Sequence, residues 1–152
     1  MLEQLSRWAA WVHVSALIGG GMLITAASTR TWDGVYYASS ITDGQITFAL
    51  GGVAVLLGTS RVIIPTRATR LLATILGLWL STAVVMIAFG TLRELGQFPD
   101  NLLGFLNPQP QPALYATLAG GIITGLGSLL GLVPAEPDAL PWEKTDLTSE
   151  NI

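Results

Sequence analysis

Charged residues and cysteine are what this 152-residue sequence has least of. Only 11% of the residues are charged, against roughly 25% in an ordinary soluble domain, while 51% are hydrophobic. So few charges do not cover a water-exposed surface, and the composition predicts an integral membrane protein. The net charge of -3 provides no basic surface for nucleic acid. The lack of cysteine excludes disulfides, zinc-thiolate sites, iron-sulfur clusters and thiol catalysis.

Four long apolar segments predict the fold class, an all-α integral membrane protein with four transmembrane helices and short loops. The segments are residues 8–27, 46–64, 71–89 and 113–133. The first is longer than the core of a secretory signal, so we expect a retained helix. Because each crossing needs ~20 apolar residues, residues 1–133 are filled by this four-helix domain. Residues 134–152 are acidic and proline-bearing, and we expect a cytoplasmic tail without a fold of its own.

Lysine and arginine are unevenly divided between the two sides of a four-span protein. Arg7, Arg61, Arg67, Arg70 and Lys144 fall on one side, and Arg30 and Arg93 fall on the other. Because basic residues are preferentially retained in the cytoplasm, the pattern predicts a multi-pass protein of the plasma membrane with both termini cytoplasmic. The turn between the second and third spans is then the only basic cluster, whereas the tail has five acids and one lysine.

A single histidine, His13, lies in the first span. On a helical wheel it shares a face with the small residues Ala9, Ala10, Ala16 and Gly20. This leaves room either for a haem or chlorophyll-type macrocycle with His13 as axial ligand, or for a helix that approaches closely and accepts a hydrogen bond. His13 is only about 7.5 Å of helix rise from the start of the span, near the headgroups, which favours the second interpretation. We therefore expect no cofactor.

Glycines at four-residue spacing are a more abundant signal. The fourth span contains Gly121-x-x-x-Gly125 and Gly127-x-x-x-Gly131, and the first contains a serine four residues before Gly19. This spacing lets two helix backbones come into contact. We predict that these five glycines lie at helix interfaces, either within the chain or with another subunit.

Catalytic constellations are missing from the sequence. The acids in the predicted outer loops have no histidine on their side of the membrane, and no phosphate-binding loop, HExxH or GxSxG motif occurs. Apart from His13 and the terminal Arg61, the predicted spans contain no aspartate, glutamate, lysine, arginine or histidine. Since intramembrane ionisable groups normally mark transport pathways, this argues against an autonomous transporter or channel.

These exclusions favour a non-catalytic accessory or structural subunit of a larger membrane complex. We expect its partners to be the lipid bilayer and other membrane subunits, with Trp142 of the tail as an anchor on a partner's cytoplasmic surface. The first alternative is a cofactor-bearing subunit of an electron-transfer or light-harvesting complex, with His13 as the haem or chlorin ligand. The second is a small transporter, or an enzyme acting on lipids or quinones.

Overall fold

Four α-helices account for most of the chain that the structure, a computed structural model, describes: residues 2–32, 42–95 and 110–133, with side chains from Trp8 onward. The helices are α1 (Leu2–Ala27), α2 (Thr42–Ile63), α3 (Arg67–Leu95) and α4 (Pro112–Leu130). Each contains a stretch long and apolar enough to cross a membrane. The predicted all-α fold with four such helices is confirmed, and its orientation in a membrane stays a prediction.

The helix ends differ from the predicted spans for a common reason. α1 begins as early as Leu2, α2 begins four residues before Ile46, and α3 continues six residues past Phe89. The predicted spans counted only apolar residues, whereas polar residues continue the backbone hydrogen bonding of a helix beyond the hydrocarbon layer. The fourth helix, in contrast, ends three residues before the predicted end of its span: α4 ends at Leu130. Residues 131–133 follow as a turn in which each amide bonds the carbonyl three residues earlier.

The turn between α2 and α3 is short and fully hydrogen-bonded. Pro65 stops α2 two residues after Ile63 because proline disfavours a helical residue before it. Thr66 and Thr69 then form a reciprocal cap, in which the Thr69 amide bonds the Thr66 hydroxyl at 3.2 Å and the Thr66 amide bonds the Thr69 hydroxyl at 3.1 Å. This is a capping box with threonine in place of the usual acidic or amide residue, and it fixes where α3 begins.

The helices form an antiparallel bundle in the order α2, α1, α4, α3, with α1 and α4 at its centre. α1 is antiparallel to α2, since Ser28 near its end bonds Thr47 near the start of α2 at 2.9 Å. It is antiparallel to α4 as well, since the Gln111 amide bonds the Trp32 carbonyl at 2.8 Å. Of the four neighbouring pairs of helices, α2 and α3 have the least extensive contact, although a short turn joins them.

Small and weakly polar residues fill the interior, while large apolar side chains face outward. Buried hydroxyls mostly bond a carbonyl four residues earlier in their own helix, as Thr124 bonds Gly120 and Ser128 bonds Thr124. Residues such as Trp79, Met86 and Leu126 are exposed. This arrangement suits a lipid surrounding, in which outward apolar surface costs nothing and close backbone packing holds helices together.

Candidate functional site

Glycines on opposite sides of α1 let the backbones of two neighbouring helices approach it closely. A Cβ at Gly20 would lie 2.9 Å from the Gly120 carbonyl oxygen of α4, and a Cβ at Gly21 would lie 2.7 Å from the Gly51 carbonyl oxygen of α2. Backbone therefore meets backbone on both sides of α1. Sequence reasoning named Gly19 instead, although the helical wheel had already placed Gly20 on the buried face of His13.

Gly19 itself lies on the outside of the bundle. A Cβ at Gly19 would meet nothing within 4 Å, and the residue is exposed. Among the described residues no helix packs against it, because the next two glycines of the run are the ones that face α4 and α2. The predicted place of Gly19 at a helix interface stays a prediction.

The four glycines that were predicted at interfaces of the fourth span, the last of which follows the end of α4, lie against two different helices. Gly121 and Gly125 face α3, where a Cβ at Gly121 would come within 3.1 Å of Val84 and one at Gly125 would meet Ser81. Gly127 faces Ala16 of α1, and Gly131 lies against both Thr74 of α3 and His13 of α1. Ser81 also donates a hydrogen bond of 2.8 Å to the Gly121 carbonyl, so the α3–α4 contact combines close packing with a polar link.

His13 is enclosed between α1 and α4, with 1% of its surface exposed. Its Nδ1 lies 2.9 Å from the Gly127 carbonyl oxygen. Because a carbonyl only accepts, Nδ1 carries the proton of this hydrogen bond, and in the neutral ring Nε2 presents a lone pair. Nε2 is buried and has no hydrogen-bond partner among the described residues. A helix that approaches His13 and accepts its hydrogen bond was one of the two arrangements considered from the sequence.

Arg61 and Arg70 line a small cavity together with His13. The cavity has a volume of about 10 Å³, and its lining consists of Ala10, His13, Arg61, Arg70, Leu130, Gly131 and Val133. Arg61 is buried rather than extended to the surface, with its guanidinium 3.1 Å from the Thr66 carbonyl. Arg70 donates to the Val133 carbonyl at 3.3 Å, while its Nε is buried and has no hydrogen-bond partner in the part of the chain that the structure describes. The end of the bundle at the α2–α3 turn therefore concentrates positive charge.

The space beside His13 is small among the described residues. Gly127 and Gly131 lie on the Nδ1 side of the imidazole, and the cavity of about 10 Å³ is close to the size needed for one water molecule. A macrocycle ligated by Nε2 would need the side chains around this cavity to move apart. The expected absence of a cofactor and the alternative role of His13 as an axial ligand both stay predictions.

Two grooves run along the outside of the α1–α2 seam, at opposite ends. The outer groove has a volume of about 380 Å³ and is lined by Met22, Thr25, Ala26, Thr29, Gly52, Val55 and Leu56. The basic groove, near the α2–α3 turn, has a volume of about 220 Å³ and is lined by Ala10, Trp11, Val14, Arg61, Val62 and Pro65. Neither groove was foreseen from the sequence, because periodicity within one helix does not show which faces of two helices meet.

The acidic tail, residues 134–152, lies outside the described residues, and with it the predicted anchor Trp142. Comparison with protein-family models, curated proteins and solved structures finds no match to this chain. Its function is therefore argued from its own residues.

Proposed function

We propose that the chain is a non-catalytic accessory subunit of a larger membrane assembly, and that a helix of a partner subunit packs into the outer groove. The observation that carries this proposal is an exposed face of α1 on the outside of the bundle, formed mostly by small residues. Ser15, Gly19 and Ala26 recur there at the spacing of one helix face, with the larger side chain of Met22 among them. Beside them lies Gly52 of α2, where an added Cβ would also meet nothing within 4 Å.

The contrast between the two faces of α1 supports an outside partner. On the inner face, glycines admit the backbones of α2 and α4, which is what small residues do in membrane helix packing. On the outer face, Ala26 and Gly52 are the smallest residues that line the outer groove, which no described residue fills. A helix of a partner subunit could place larger side chains in this groove and so pack closely against α1, as α2 and α4 do on the inner face.

The close packing inside the described part of the bundle supports a non-catalytic role. Among the described residues, the buried hydroxyls bond carbonyls or one another, as Ser28 does with Ile24 and Thr47. The cavity at His13 is too small for a substrate. We further propose that both termini are cytoplasmic in the plasma membrane, in keeping with the distribution of basic residues.

The test compares substitutions at two glycines, Gly52 in the outer groove and Gly90 on α3. At each of them an added Cβ would have no neighbouring atom of the described chain within 4 Å. We expect Gly52→Leu to leave the isolated protein stable but to abolish stoichiometric co-purification with another membrane subunit from native membranes. Gly90→Leu should retain it. Undiminished co-purification of Gly52→Leu would contradict the proposal.

Variants of the tail, residues 134–152, provide a second test of the same proposal. We expect deletion of residues 135–152 to leave membrane insertion intact and to weaken association with the partner, and Trp142→Ala to reproduce part of that loss. If the truncated chain retains its partner as well as the full chain does, even at raised salt, the tail takes no part in docking.

A further inference from the structure

Two buried polar atoms that lack a hydrogen-bond partner belong to residues lining the same cavity. Among the described side chains three such atoms occur, His13 Nε2, Arg70 Nε and Trp32 Nε1. His13 and Arg70 both line the small cavity of about 10 Å³, whereas Trp32 lies in a hydrophobic cluster elsewhere in the bundle. A buried polar group normally has a partner, either in the protein or in an ordered water molecule. The small cavity is therefore where a common partner of His13 and Arg70 would lie.

The two atoms have complementary hydrogen-bonding requirements. Arg70 Nε carries a proton and only donates. His13 Nε2 in the neutral ring only accepts, because the ring proton is on Nδ1, 2.9 Å from the Gly127 carbonyl oxygen. A molecule that joins the two atoms must therefore accept one hydrogen bond and donate another. Water does both, whereas a halide ion only accepts and would leave Nε2 without a donor.

The size of the cavity also fits a water molecule. A space of roughly 10 to 15 Å³ is enough for one water, and the cavity measures about 10 Å³. Gly131 keeps this space open at the imidazole, since an added Cβ there would lie 2.9 Å from His13 Cε1 and would also meet Thr74 Oγ1. A larger ligand does not fit between these residues as they are packed.

The cavity lies close to a source of water. Ala10 and Arg61 line both the small cavity and the basic groove on the outside of the α1–α2 seam. Arg61 is in the last turn of α2, so this end of the bundle is near the level at which the apolar spans give way to headgroups and water. A water molecule therefore reaches the cavity without crossing the apolar length of the bundle.

We propose that the small cavity binds one ordered water molecule, which accepts a hydrogen bond from Arg70 Nε and donates one to His13 Nε2. This goes beyond the accessory role, because the site lies inside the chain and needs no partner subunit. α1 and α3 lie on the diagonal of the bundle rather than among its four neighbouring pairs of helices. The water links these two helices, and His13 Nδ1 extends the link to Gly127 of α4. One chain of hydrogen bonds thus joins three helices.

The first experiment uses the fact that the chain contains a single histidine. The full chain, with isotopically labelled histidine ring nitrogens, is reconstituted in lipid bilayers and measured by solid-state NMR. We expect a neutral ring with its proton on Nδ1, polarisation transfer from water to Nε2, and an Nε2 resonance upfield of that of an imidazole nitrogen that accepts no hydrogen bond. A ring protonated at Nε2, or an Nε2 resonance typical of a free lone pair, would overturn the proposal.

Two arginine variants identify the side chain that holds the water. Arg70→Leu removes the donor, and we expect most of the transfer from water to Nε2 to be lost and the Nε2 resonance to move downfield. Arg67→Leu is the matched control, because it removes an exposed arginine three residues earlier on α3, and it should leave both signals unchanged. Equal changes in the two variants, or no change in either, would contradict the bridge to Arg70.

A crystal structure of the unaltered chain, grown with sodium bromide, tests the same site if Arg70→Leu disturbs folding. We expect density for one water within hydrogen-bond distance of both His13 Nε2 and Arg70 Nε, and no anomalous signal of bromide there. A bromide peak in the cavity would assign the site to an anion. An empty cavity, or a direct hydrogen bond between His13 and Arg70, would leave no place for the water. Each of these three results would refute the proposal.

Discussion

Gly19 and Gly20 are neighbours on α1, and substituting each by alanine gives a direct measure of how the bundle is held together. An added Cβ at Gly20 would meet Thr124 and the carbonyl oxygen of Gly120, the latter at 2.9 Å. Because these are largely backbone atoms of another helix, α1 and α4 must move apart for it to fit. At Gly19 the same methyl group meets nothing within 4 Å.

The two substitutions should change the free energy of unfolding differently. Overpacking at Gly20 should cost about 1 to 3 kcal/mol of unfolding free energy. Alanine at Gly19 should be neutral or stabilise the helix by up to about 1 kcal/mol, the difference in helix propensity between the two residues. The assay is reversible unfolding of the purified protein in mixed micelles, followed by circular dichroism. If Gly20→Ala were as stable as Gly19→Ala, the α1–α4 contact described here would be wrong.

Three further predictions concern the α1–α2 contact, the His13 hydrogen bond and the orientation in the membrane. Gly51→Ala should destabilise the bundle by about 1 to 3 kcal/mol while Gly52→Ala does not, in the same unfolding assay, and equal stabilities would contradict the α1–α2 contact. His13→Phe should cost about 1 kcal/mol, because the Gly127 carbonyl loses its donor, and an unchanged stability would show that this bond contributes nothing. Reporter fusions in the α2–α3 turn should report cytoplasm and fusions in the α1–α2 loop the opposite side, and a cytoplasmic signal in that loop would refute the proposed orientation.

The sequence was sufficient for the number and type of helices, because about twenty consecutive apolar residues have few other ways to fold. It also showed that α1 has a face of small residues around His13. Periodicity alone does not determine which neighbour a face meets. Three consecutive glycines, Gly19 to Gly21, cover almost a full turn of helix, so no pattern within α1 distinguishes the outward glycine from the inward ones.

The polar cluster at the α2–α3 turn was beyond prediction for a different reason. A long basic side chain in the last turn of a span, such as that of Arg61, commonly extends toward the headgroups. Arg61 instead folds back to the Thr66 carbonyl, because Pro65 and the capping box of Thr66 and Thr69 place that carbonyl within its reach. Arg70 and His13 come together there only through the pairing of α1, α3 and α4, which are distant in sequence.

The proposal that a partner helix occupies the outer groove is tested most directly by site-specific cross-linking in native membranes. The chain contains no cysteine, so a single cysteine can be introduced and labelled with a photoactivatable group. Ala26→Cys places the label in the outer groove, and Met86→Cys places it on an exposed position of α3 as the control. We predict one adduct of defined mass with a different membrane protein from Ala26→Cys and none from Met86→Cys. Adducts with lipid alone, with a second copy of this chain, or at equal yield from both positions would contradict the accessory-subunit account.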